Sequence, residues 1–134
     1  LTEVAMAITF NHTIVAASDR QQSADFFTEL FGLPAARQFG PFLAVELNHG
    51  VSLDFMQSGP DVTVQAQHYA FLVSEDEFDA IYARIRERGL SHWADPHGHQ
   101  DGEINHHDGG RGVYFPDPSG HRLEIITRPY GAGA

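Results

Sequence analysis

The chain contains no cysteine and no lysine. Without thiols there is no disulfide, no thiolate nucleophile and no cysteine-ligated zinc site. Without lysine there is no Schiff-base amine and no ammonium to close a phosphate-binding loop. Positive charge is scarce too: eight arginines stand against 18 acidic residues, a net charge of −10. This argues against nucleic acid or an anionic membrane as the principal partner, because both demand a positive surface. No apolar run is long enough to cross a bilayer. Positions 1–5 lack the pattern of a signal peptide, Met6 reads as a natural start behind a short leader, and the default expectation is cytoplasmic. These absences leave a protein that handles a small molecule.

What the chain does hold in surplus is imidazole, with nine histidines in 134 residues. Its 42% hydrophobic and 19% charged residues describe one folded domain with a real core. A β-branched and aromatic stretch at 8–17 predicts a strand, and Ser18-Asp19 is a helix N-cap signal. Ala24, Phe27, Leu30 and Phe31 then recur at helical spacing until Gly32 and Pro34 stop the helix. Two strands at 42–47 and 51–56 follow, joined by the turn Asn48-His49-Gly50. The same order of signals then recurs. A strand at 67–73 runs into the capping box Ser74 to Glu77, and a helix carries the stripe Phe78, Ile81, Tyr82 and Ile85 to Gly89. Asn11-His12 precedes Gly32-Leu33 by about the interval that separates Gln67-His68 from Gly89-Leu90, which is an internal repeat of βαβββ type. The expected fold is therefore α+β, one domain over 8–127 made of module one (8–57) and module two (66–127), with tails at 1–7 and 128–134.

The last predicted hairpin, 112–127, turns at Pro116, Pro118 and Gly120. In its second strand Leu123, Ile125 and Thr127 share one face, and Arg122, Glu124 and Ile126 the other. Glu124 thus sits mid-strand among apolar neighbours, where a lone carboxylate is costly without a partner. The repeat supplies candidates. His12 and His68 lie early in the two modules, Asp54 and Glu124 late, and two imidazoles with a carboxylate make an open divalent-metal site. Taken singly, each histidine is as readily a hydrogen-bonded core residue. Between the helix and this hairpin, the loop 96–112 holds His97, His99, His106, His107, Asp108 and Arg111 among its glycines. It reads either as a solvated loop or as a lid in which Arg111 meets an anionic substrate group.

Asn11-His12-Thr13, Gln67-His68-Tyr69-Ala70-Phe71 and Phe115-Pro116-Asp117-Pro118-Ser119-Gly120-His121-Arg122-Leu123-Glu124 together resemble the vicinal oxygen chelate superfamily. That superfamily includes glyoxalase I, bleomycin-resistance proteins, fosfomycin-resistance transferases and extradiol dioxygenases. The resemblance implies paired βαβββ modules forming a U-shaped cup, completed by a homodimer. It implies a divalent first-row ion (Fe, Mn, Ni, Co or Zn) on His12, His68 and Glu124. Asp54 aligns with a fourth, glutamate ligand of glyoxalase I but is one methylene shorter, and Tyr114 matches a substrate-contacting tyrosine of the fosfomycin enzymes. The catalytic set expected is Glu124, Asp54, Tyr114 and Arg111. The implied activity is that of a metal enzyme on a small oxygenated substrate, by lyase, isomerase or dioxygenase chemistry. The alternative is a non-catalytic dimer that sequesters a drug or metabolite.

Overall fold

The structure is a computed structural model and describes residues 8–133. Positions 1–7, and with them the expected leader, lie outside the described residues. Strand β1 (His12–Ala17) leads into helix α1 (Arg20–Phe31). Asp19 caps this helix by accepting from the Gln22 N–H, and Gly32 ends it in the left-handed conformation that a residue without Cβ adopts freely. Strands β2 (Arg37–Phe39), β3 (Phe42–Glu46) and β4 (Ser52–Gln57) complete module one. Module two consists of β5 (His68–Leu72), α2 (Glu75–Glu87), β6 (Gly112–Pro116) and β7 (Arg122–Ile126). Its helix opens on the full Ser74–Glu77 capping box, as the sequence predicts.

Each module forms its own sheet, in the orders β1-β4-β3-β2 and β5-β7-β6. In both, the first strand runs parallel to the last, pairing His12 with Ser52 and His68 with Arg122. The repeat is not complete. Strand β2, which the sequence reading does not anticipate, has no full counterpart in module two, where only isolated bridges join Trp93 to Tyr114 and Asp101. The reason is compositional: around Trp93 the chain is Gly-, Asp-, Pro- and His-rich and cannot sustain an alternating half-buried strand. Strand β1 is likewise shorter than the expected 8–17.

One continuous core joins the modules. Phe27 of α1 packs on Phe55 of the first sheet and Phe71 of the second, and Phe31 stacks on Phe27 and reaches Phe115. The strand residues feeding this core alternate: Val15 and Ala17, Leu53 and Phe55, Val113 and Phe115, Leu123 and Ile125. Their neighbours, including His12, Asp54, His68, Tyr114 and Glu124, fall on the faces turned away from the helices. The Asp-Pro-Ser-Gly turn ties the modules together. Asp117 accepts from the backbone N–H groups of Ser119 and His121, while the Ser119 hydroxyl accepts from Ser18 N–H in module one. Burial pushes the Asp117 carboxyl up, and these donors together with His121 oppose the shift. Among the described residues no helix is long and apolar enough to cross a membrane.

Candidate metal centre in two half-sites

Parity puts Glu124 on the open face of the second sheet, opposite Tyr114 on β6 and Ala70 on β5. Its carboxylate is nonetheless only 1% exposed. Three groups account for that. The Tyr130 hydroxyl donates to the carboxylate, 2.8 Å from both oxygens, and Tyr114 lies 3.2 Å from the Tyr130 oxygen. His68 brings Nε2 to 3.1 Å from Glu124 Oε1. Burial, then the Tyr130 hydroxyl and the Glu124 charge, push the Tyr114 phenol well above its ordinary range, so it stays a protonated donor. Tyr130 is raised as well, first by burial.

The tautomer of His68 follows from its other nitrogen. Nδ1 lies 3.1 Å from the carbonyl oxygen of Arg122, which can only accept, so the ring proton is on Nδ1. In the neutral ring this turns the Nε2 lone pair toward a carboxylate. Two acceptors in that position repel unless a cation stands between them or a second proton is added. A backbone carbonyl fixing one nitrogen while the other is offered to a metal is the ordinary support of a histidine ligand. The donor set therefore fits a first-row divalent ion.

The first sheet carries the other half. His12 begins β1 with Nδ1 2.6 Å from Asn11 Oδ1, which again directs Nε2 outward as an acceptor. Asp54, two residues along the paired strand from Ser52, is 7% exposed and accepts from the Ser52 hydroxyl at 2.9 Å. His12, Ser52 and Asp54 line a cleft of about 340 Å³ that also touches Arg37, Phe39 and Glu46. Among the described residues no three His, Asp or Glu side chains converge as a metal-binding group. The structure thus pairs His68 with Glu124 and His12 with the Asp54 cleft, and one chain does not bring the halves together.

Arg111 stands elsewhere than expected. It shares the parity of Val113 and Phe115, so its side chain points behind the sheet to α2. There it pairs with Glu75 and Asp79, both at 2.8 Å, over the ring of Phe78. The alternation of β6, extended one residue back into the loop, could have shown this. His121 is a structural histidine: 1% exposed, it accepts the Gln67 N–H on Nδ1 and donates from Nε2 to the Ala16 carbonyl. His99 sits 3.8 Å from Asp95, and His97 lies beside it, at the surface. Tyr130, which touches Glu124 most closely, falls in the segment read as a tail. Nothing in local periodicity marks it.

Two parallel-closed sheets around a shared helical core, with His and Glu on their open faces, define a class. Residues 9–125 match the Glyoxalase/Bleomycin resistance protein/Dioxygenase superfamily, and the chain belongs to it. Among its relatives, the glutathione transferase FosA of Serratia marcescens is 30% identical over 90% of this chain and 81% of that protein. The solved structure of the oxidase ChaP-H1 superposes with a TM-score of 0.90 at 58% identity, over 93% of this chain and 99% of that one. Oxidase ChaP-H2 gives 0.91 at 57%, covering 96% and 100%.

Proposed function

We propose that the protein is a divalent-metal-dependent enzyme of oxidase or dioxygenase type acting on a small oxygenated substrate. The ion is held by His68 and Glu124 of one protomer and His12 of its partner. The observation that carries this reading is the His68–Glu124 pair, a buried carboxylate facing an imidazole whose proton is committed to a backbone carbonyl. The naming of two solved relatives above 55% identity as oxidases supports the reaction class. Bound there, the ion would supply Lewis acidity and, where redox-active, a meeting point for dioxygen and substrate.

The chain's own residues have separate tasks. Tyr114, kept protonated, donates its O–H to the Tyr130 oxygen beside Glu124 and could turn that donor to a substrate oxygen instead. Asp54 is an ionisable acceptor at the His12 cleft, placed to orient a substrate hydroxyl or take its proton. The apolar neighbours Ile14 and Leu72, both exposed, exclude water once a second protomer covers the open faces. The test is elemental analysis of untagged protein and its alanine variants. Glu124→Ala, His68→Ala and His12→Ala should each lose stoichiometric metal, whereas Asp54→Ala should retain it and lose activity. A metal-free wild-type protein that still binds ligand would favour the sequestering dimer instead.

A further inference from the structure

Arg122 carries the one buried side-chain polar atom without a hydrogen-bond partner among the described residues, its Nη1. Such orphans are rare in folded proteins and call for a physical reason. The residue occupies the open face of β7, two positions before Glu124 and opposite His68 in register, so it stands about 7 Å along the strand from the metal-site carboxylate. Its guanidinium lies 4.7 Å from the centroid of the Trp93 ring, and Trp93 bridges to Tyr114 on the neighbouring strand. The indole also packs close to Gly98, where an added Cβ would meet the ring at 3.4 Å. Trp93 thus touches both the loop and the guanidinium.

Arg37, Arg88 and Arg111 pair with carboxylates, and the half-buried Arg20 and Arg84 donate to the backbone carbonyls of Pro41 and Leu30, whereas the Arg122 guanidinium has neither kind of partner among the described residues. What sets Arg122 apart is a buried guanidinium nitrogen with no acceptor of any kind among the described residues. Stacking on an indole fixes the plane of a guanidinium while leaving its edge to form the two-pronged bond that a carboxylate accepts. We infer that Arg122, braced by Trp93, is the anion-recognition residue of the site and takes a carboxylate of the substrate. The inference deepens the proposed function and rests on it for the position of the reacting end. It gives Arg122 the role that the sequence suggested for Arg111.

Trp93 is the only tryptophan in the chain, so its fluorescence reports on this position alone. Chelator-treated wild-type protein is titrated with benzoate and with its neutral analogue benzamide. Benzoate should perturb Trp93 emission and bind at least about tenfold more tightly than benzamide. Arg122→Met, which keeps an apolar stem on the indole, should erase that preference without lowering the melting temperature, because it removes an unpaired buried donor. Arg122→Lys, which keeps the charge but not the fork, should weaken benzoate several-fold in a folded protein. The inference is overturned by equal affinity for the two probes, by no emission response to millimolar benzoate, or by either variant binding benzoate as wild type does. A marked loss of stability in Arg122→Met with the Arg122→Lys protein unchanged in binding would likewise make the residue structural. Because no metal is present, a preference for benzoate in a protein that never acquires metal sinks the proposed function and leaves Arg122 standing. Stoichiometric metal without the preference does the reverse.

Discussion

His68 and His121 flank the same strand pair yet carry their protons on opposite nitrogens. Nδ1 of His68 donates to Arg122, whereas Nδ1 of His121 accepts from Gln67 and Nε2 donates to Ala16. One ring keeps a lone pair for a ligand and the other spends both nitrogens on backbone. His121→Ala should therefore cost roughly 2–4 kcal/mol in urea denaturation, through an unpaired amide, an unpaired carbonyl and a cavity, while metal content per folded chain stays at wild type. Tyr130 poses the converse case. Its hydroxyl engages both Glu124 oxygens, the lone pairs a cation would use. Tyr130→Phe removes that competitor, and calorimetric titration with Mn²⁺ should show roughly tenfold tighter binding. Unchanged or weaker binding would mean that the phenol steadies the carboxylate more than it competes for it.

Helix α2 and the loop before β6 are locked together by Arg111. The Glu75 carboxylate is held below its ordinary range, first by the Thr127 hydroxyl and then by Arg111, and the Arg111 guanidinium is raised by Asp79 and Glu75 against the opposing effect of burial. A depressed carboxyl pKa contributes stability above its unfolded value of about 4.3 and loses it as pH falls through the folded value. Arg111→Ala should lower the melting temperature by roughly 2–5 °C near neutral pH, and the difference from wild type should shrink as the pH is taken below about 4. This replaces the expectation that the residue is a free anion contact. A variant with wild-type stability at both pH values and lost ligand binding would restore the lid. At the same scale, the loop around Trp93 marks where the repeat breaks: bridges in place of a strand leave room for the indole to fold over the open face.

For the whole molecule, the proposed function would make assembly a chemical requirement, because the His12 cleft and the His68–Glu124 pair do not meet within one chain. Ile14, Phe39, Met56 and Leu72 are exposed on or beside the open faces, as suits surfaces that another protomer covers. Sedimentation should give twice the chain mass. Mixed dimers of His12→Ala and Glu124→Ala should regain one metal site per dimer, because one of the two shared centres then draws both halves from intact positions. A site built within one chain would stay empty in every such mixture. Much of this was legible before folding. Alternation alone assigned Glu124 to the face opposite Leu123 and Ile125, caps and glycines bounded both helices, and the repeat paired His12 with His68 and Asp54 with Glu124. Those are local properties, set by the two-residue period of a strand and the hydrogen-bond needs of helix ends. The capture of Arg111 by α2, the return of Tyr130 onto Glu124, the stacking of Arg122 on Trp93 and the separation of the two half-sites were decided only by the tertiary structure. Each depends on which elements share the core between the sheets, and that packing joins residues whose spacing along the chain carries no period to read.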